Sequence, residues 1–332
     1  MRELSCIAHT ALTGRAHDGC MAISRVEQVP TEAGEPSGWH LGEGEEIAPG
    51  RTAVRLLGSS NVHDVYAAWD DTILGVVAVK MLRPASVGDE RARRALAAEA
   101  AALRALSHPS FPRCFDAVLD GDRPHLVLEL VEGPRLSTLI RRQGRLGVEQ
   151  AIPLILQLAS AIHYIATTGR VHLDVKPKNV MMAPPPRLID LSVARTIERA
   201  RSTEHPVGTD RYMAPEQCGT GLAHEMGHAT DVWGVGVTMF ESLTGHRPFP
   251  EGDHSASGPE RFPQLVHEPG RLPRDVPEPL ASLIRSSMER APSDRPTAAE
   301  IVHELDALTE AIPPQPILGR IRVRAWKPTK RS

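Results

Sequence analysis

The texture of the chain switches once, near Glu132-Gly133-Pro134, and that switch limits the folds open to it. Upstream, residues 52–57, 62–69 and 75–82 form three closely spaced runs rich in β-branched and aromatic residues, which suit a pleated surface. An Ala- and Arg-rich helical stretch follows at 89–106 and ends at Ser107-His108-Pro109. Two more strand candidates, 114–119 and 125–131, flank an Asp-Gly-Asp-Arg-Pro turn. Downstream, helical patterns dominate. Residues 231–244 are apolar nearly all round, as in a helix buried at the centre of a large domain, and 278–290 and 297–309 are further helix candidates. The pattern predicts an α+β fold of two lobes. A small β-rich lobe with one main helix would cover 51–131, and a larger helical lobe 135–310.

The flanks differ from this body. Residues 1–50 hold eight acids against three arginines and no sustained period, which predicts a flexible acidic leader. Met21 is an alternative start. Residues 311–332 carry six cations and no acid, with Arg320, Arg322 and Arg324 alternating with apolar neighbours. A basic tail of this kind is solvated, or docks on the leader, an acidic partner or an anionic membrane.

A formal net charge of −3 over 332 residues argues against a general nucleic-acid binder. The four cysteines, Cys6, Cys20, Cys114 and Cys218, have no metal-type spacing and no dense disulfide pattern. Together with an N-terminus lacking the apolar core of a secretory signal, they point to the cytoplasm. Residues 150–169 carry no formal charge, but Pro153, Gln157, Ser160 and His163 interrupt them. Ile152, Ile155, Leu156, Leu158, Ile162 and Ile165 recur mostly at three- and four-residue intervals. That spacing predicts an amphipathic helix rather than a membrane span.

Lysine is scarce: five against thirty-three arginines. An interior lysine in such a chain marks a place that needs a compact point charge rather than a planar fork. Three of the five are Lys80, Lys176 and Lys178, and two of these fall in the strongest signal of the chain, His172-Leu173-Asp174-Val175-Lys176-Pro177-Lys178-Asn179. His, Asp and Asn stand there at catalytic-loop spacing. Leu188-Ile189-Asp190 follows, an acid ending a short apolar run. Upstream stand Val77-Ala78-Val79-Lys80 and, in the helical stretch, Glu99. Downstream come Gly208-Thr209-Asp210-Arg211-Tyr212-Met213-Ala214-Pro215-Glu216, then Asp231-Val232-Trp233-Gly234, then Asp294-Arg295-Pro296.

This ordered set resembles the eukaryotic-type (Hanks-type) protein kinase domain, most closely that of bacterial serine/threonine kinases. It implies a bilobal kinase fold and transfer of the ATP γ-phosphoryl group to Ser/Thr hydroxyls of proteins, with autophosphorylation. The cofactors it implies are ATP and Mg²⁺, with Mn²⁺ as a substitute. By that resemblance Asp174 accepts the substrate hydroxyl proton, Lys176 steadies the transferred phosphate, and Lys80 contacts the α- and β-phosphates while paired with Glu99. Asn179 and Asp190 hold the metal, a hard cation suited to oxygen ligands. Leu57, Gly58, Val65, Ala78 and Met181 enclose the nucleotide, Glu129 and Val131 offer hinge backbone to adenine, and Leu128 is the gatekeeper. Asp231 either starts its helix or anchors the catalytic-loop backbone. Glu216 and Arg295 brace the activation segment or form a surface pair. The partners implied are protein substrates, with a homodimer as a further expectation.

Three motifs depart from the family pattern. The glycine-rich loop falls on Gly58, Ser60, His63 and Val65, so one glycine of three is kept. Ser60 and His63 are expected to hinder the close approach of backbone N–H groups to phosphate. Leu173 replaces the arginine that usually reads activation-loop phosphorylation, and Asp190-Leu191-Ser192 replaces Asp-Phe-Gly. Thr196, Ser202, Thr203 and Thr209 are candidate phosphosites. The eroded loop keeps a second reading open, a pseudokinase acting as a nucleotide-responsive binding module. His224-Glu225-Met226-Gly227-His228 also matches a zinc-peptidase pattern, but glycines puncture the helix that pattern needs.

Overall fold

The computed structural model describes residues 38–219 and 225–311; Cys6, Cys20, Met21, His224 and the basic tail past Ala311 lie outside them. Strands β1 (Glu46–Ala48), β2 (Arg51–Ser59), β3 (His63–Asp70), β4 (Gly75–Leu82), β5 (Cys114–Val118) and β6 (His125–Glu129) make one antiparallel sheet in the order β1-β2-β3-β4-β6-β5. The two-residue period of a strand sends alternate side chains to opposite faces. Val77, Val79 and Met81 join Ile47, Ala53, Tyr66, Ala68 and Val127 in one buried cluster. Ala78, Leu82, Leu126 and Leu128 belong instead to the large core shared with the helices. Lys80, two residues from both Ala78 and Leu82, therefore lies on the core-side face.

Residues 38–50, expected to belong to the flexible leader, are ordered against this sheet. The Trp39 indole N–H donates to the Leu82 carbonyl at 2.7 Å, Ile47 is buried, and Trp39 and Leu41 pack on the outer cluster. A three-residue strand among Gly and Glu shows no period in the sequence. Its order comes from the apolar sheet face it covers.

Helix α1 (Pro84–Val87) leads to α2 (Glu90–Ala105), capped by the Asp89 side chain, which accepts from the Arg91 N–H. The buried stripe of α2 runs Ala92, Leu96, Glu99, Ala100, Leu103. A carboxylate in that stripe cannot stay charged without a partner.

The helical lobe contains α3 (Leu136–Gln143), α4 (Val148–Thr167), α5 (Ile197–Arg201), α6 (His228–Thr244), α7 (Gly258–Arg261), α8 (Glu278–Ser287) and α9 (Ala298–Ala311). Short pairs also cross it: β7 (Arg170–Val171) with β10 (Arg195–Thr196), and β8 (Val180–Met181) with β9 (Arg187–Leu188). Among the described residues, α4 is the one helix long and apolar enough to cross a membrane. Here it packs between α6 and α9 and buries Ile152, Ile155, Leu158, Ile162 and Ile165, so its apolar stripe is core. Helix α6 is buried nearly all round, and Trp233 stacks on Phe249 at 5.5 Å.

Candidate active site

The two short strand pairs of the helical lobe gather the polar residues. Pairing of Val180 with Leu188, continued by the Ile189 N–H donating to the Asn179 carbonyl at 2.8 Å, sets Asn179 beside Asp190. The pair β7–β10 ties the chain beyond Asp190 back to the strand leading into His172. Helix α6 supplies the anchor beneath. Asp231, 2% exposed, accepts the backbone N–H groups of His172 and Leu173 at 2.7 Å each. Asp231 is not a cap, because α6 begins at His228. Burial, only partly offset by those two donors, raises its carboxyl to about 7. Gly234 lets α6 come this close: a Cβ there would lie 2.8 Å from that of Val175.

This anchorage holds a strained backbone. Leu173 sits at φ +65° and Asp190 at +71°, conformations that cost a residue other than glycine about 1–3 kcal/mol. Leu173 is held from both sides, since its carbonyl also accepts from the Gln217 amide at 2.9 Å. Gly208 passes over the same carbonyl, where a Cβ would approach to 2.7 Å.

Asp174 is the centre of the arrangement. One carboxylate oxygen accepts from the Lys176 ammonium at 2.7 Å and the Asn179 amide at 2.9 Å; the other accepts from the Thr209 hydroxyl at 2.8 Å. Lys176 also donates to Thr209. With the Asn179 amide nitrogen committed to Asp174, its remaining polar atom is the carbonyl oxygen, the one a hard cation takes. Thr209, singled out in sequence only as a phosphosite, belongs to this constellation.

Lys80 spans the cleft. Its ammonium donates to both oxygens of Glu99, at 2.8 and 2.7 Å, and to Asp190 at 2.9 Å. Burial alone would depress this ammonium, but the two carboxylates override it and hold it charged well above the usual lysine range. Asp190 is treated likewise: burial would raise its carboxyl, yet Lys80 holds it far below the usual carboxylate range. Both stay ionised.

Beside these charges lies an apolar slot. Ala78 and Leu128 are buried, and Leu57 and Val65 pack on the same cluster. Gly58 pairs with Val65 across the β2–β3 hairpin, Met181 bridges to Arg135, and Val131 is half-buried just past the end of β6. The Glu129 side chain is taken up elsewhere, by Arg187 at 3.2 Å and Arg113 at 3.4 Å, and its N–H donates to the Arg113 carbonyl at 2.8 Å, which leaves its backbone carbonyl as the part offered to a ligand.

Residues 51–305 match the model of the protein kinase domain. The chain belongs to that family. It is 30% identical over 250 residues to serine/threonine-protein kinase PknA of Mycobacterium tuberculosis, covering 73% of this chain and 57% of that protein. It is 32% identical over 243 residues to serine/threonine-protein kinase PkaA of Streptomyces coelicolor, covering 71% of this chain and 44% of that protein. The kinase domain thus resembles bacterial serine/threonine kinases, and the chain spans about half the length of these curated relatives.

Within the kinase domain, Glu216 and Arg295 form a buried pair rather than a surface one. Two guanidinium nitrogens reach the carboxylate at 2.7 and 2.9 Å, the side chains are 0% and 1% exposed, and Arg295 stacks over Trp233. The other hydroxyls of the activation segment are in use locally: Thr196 caps α5, and Thr203 accepts from Arg195. Ser202 is exposed. Of the peptidase-like pattern, the described residues Glu225 and Met226 precede α6, Gly227 is its cap and His228 its first residue, so that part is not the continuous helix on which two zinc-binding histidines share a face.

Proposed function

We propose that this kinase domain transfers the γ-phosphoryl group of ATP to Ser or Thr hydroxyls of proteins, itself included, with Mg²⁺ and with Mn²⁺ as a substitute ion. The observation that carries the reading is Asp174, a single carboxylate accepting Lys176, Asn179 and Thr209. It is a poised acceptor for one more hydroxyl proton.

The side chains present fit the cofactors. The Asn179 carbonyl and Asp190 carboxylate are hard oxygen donors set side by side by the β8–β9 hairpin. Bound there, the divalent ion would neutralise phosphate charge. The slot formed by Leu57, Val65, Ala78 and Leu128 suits a flat heteroaromatic ring.

Phosphoryl transfer asks for positioning and charge stabilisation more than covalent chemistry. Asp174 orients the acceptor hydroxyl in line with the γ-phosphorus and takes its proton. The new O–P bond forms as the bond to the β–γ bridging oxygen breaks, and ADP leaves with that electron pair. Lys176, bonded to Asp174 and Thr209, places a positive charge where the transferred group passes. Lys80, fixed by Glu99, holds the non-transferred phosphates. The free thiols Cys114 and Cys218 suit the cytoplasm.

The test is transfer from γ-labelled ATP to the protein itself and to a generic basic protein, followed by phosphoamino-acid analysis. Label on Ser and Thr, abolished by chelation of divalent ions, is the expected result. A protein that ATP stabilises against heat but that never transfers label would instead be a nucleotide-responsive binding module.

A further inference from the structure

The eroded phosphate loop has replaced its glycines with a side-chain arrangement, and one atom of it is left over. Ser60 closes the turn between β2 and β3. Its N–H donates to the His63 carbonyl at 2.8 Å, and its hydroxyl accepts the N–H groups of His63 at 3.0 Å and Val62 at 3.4 Å. Arg83 pins the same turn through the Ser60 carbonyl at 3.0 Å, and the Ser59 hydroxyl donates to Asp64 at 2.8 Å. The backbone N–H groups of residues 60, 62 and 63 are thus consumed inside the turn. In a glycine loop such groups would be the ones facing phosphate.

His63 is placed where that function can pass to a side chain. Val65 is paired with Lys80 and His63 with Leu82. His63 therefore shares the cleft face with Lys80 as its diagonal cross-strand neighbour, at a typical Cβ separation of roughly 7–8 Å. Its Nε2 is buried and has no hydrogen-bond partner among the described residues. A buried polar atom without a partner is costly, of order 1–3 kcal/mol, and calls for an explanation. Burial and the nearby Lys80 ammonium hold the ring's pKa at about 4, so at neutral pH the imidazole keeps one N–H to donate and adds no charge beside Lys80.

We propose that His63 is a nucleotide-binding residue, its Nε2–H donating to a phosphate oxygen of the bound nucleotide in place of the backbone N–H groups the turn has consumed. This rests on the nucleotide site proposed above. Its ligand class is the polyphosphate chain, not the base. Adenosine, which lacks phosphates, should not sense the residue.

The experiment measures equilibrium dissociation constants of ATP and adenosine, with Mg²⁺ present, for wild type, His63→Ala and His63→Gln. His63→Ala is expected to weaken ATP binding by about ten-fold or more, the weight of one hydrogen bond to a charged group. Adenosine affinity should stay unchanged, which also reports an intact slot in each variant. His63→Gln, which keeps an N–H donor, should recover part of the loss. ATP binding by His63→Ala as tight as wild type, or tighter, overturns the inference and makes the ring a spectator or an obstruction. A wild type that binds neither ligand overturns the nucleotide reading itself, and the inference with it.

Discussion

Lys80 and Asp190, 110 residues apart in sequence, meet at 2.9 Å across the cleft while the same ammonium holds Glu99 at 2.7 Å. One lysine therefore joins the sheet, the helix packed on it and the loop carrying a candidate metal ligand. Lys80→Met should lower kcat/KM for ATP-dependent transfer by roughly 10²–10³-fold, the usual loss for one preorganised charge. Lys80→Arg should not rescue it, because a planar fork cannot take the place of a compact ammonium bonded to three oxygens. Near-wild-type transfer by Lys80→Arg would contradict this role.

The link from Asp231 to the catalytic loop predicts a separate defect. Asp231→Ala leaves the buried N–H groups of His172 and Leu173 without an acceptor, at about 1–3 kcal/mol each. Leu173 would be free to leave its left-handed conformation, and Asp174 would move with it. Expected are a fall in kcat well beyond any change in the dissociation constant for ATP, and faster hydrogen exchange confined to residues near 172–174. Unchanged kcat would show that the loop holds its shape without α6.

Much of this site is legible in the sequence, for a physical reason. Lys80, Glu99, Asp174, Asn179 and Asp190 cannot be moved along the chain without leaving the strand, stripe or hairpin that aims them, so their spacing survives as a pattern. Asp231 was readable as a residue but not as a choice between cap and anchor, because its two partners lie 59 and 58 residues away. Thr209 looks like any loop hydroxyl until the activation segment folds over Asp174. Residues 38–50 carry an acidic, glycine-rich texture, and only the apolar outer sheet face reveals why Trp39 and Ile47 are there. In His63 the sequence shows a lost glycine; the unpartnered nitrogen is visible only once the turn is closed by Ser60.

The buried pair Glu216–Arg295 predicts a stability effect far from the cleft. Arg295→Ala strands a carboxylate that is 1% exposed, a loss of about 3–5 kcal/mol for a broken buried pair. In a domain of this size that corresponds to a fall in Tm of roughly 10 °C. Calorimetry would read it directly, and a shift of only a degree or two would mean the pair contributes as little as a solvated one.

Stability should also fall on the acid side through His172. The ring is wholly buried, its Nε2 has no partner among the described residues, and burial lowers its pKa from 6.5 to about 4. Between those values the unfolded chain binds a proton that the folded one does not. Stability contributed by the neutral ring is complete above pH 6.5 and is lost as pH falls toward 4, by up to about 3 kcal/mol. His63 acts in the same direction. Asp231, its carboxyl raised to about 7, acts in the opposite direction over the same range, so His172 is read by difference: in denaturant unfolding at a series of pH values, His172→Phe should lose less stability than wild type as pH falls toward 4. An unaltered slope in that variant would remove His172 from the account.

The central claim is that Asp174 accepts the proton of the acceptor hydroxyl. Single-turnover transfer from γ-labelled ATP, measured beside ATP binding for wild type and Asp174→Asn, tests it most directly. The amide keeps the shape: with its oxygen where Lys176 and Asn179 donate, its NH2 faces the Thr209 oxygen and donates to it, and the group cannot take a proton. The account predicts ATP affinity within a few-fold of wild type and a transfer rate lower by roughly 10²–10⁴-fold, the span of general-base catalysis. Transfer by Asp174→Asn at a rate close to wild type would contradict it.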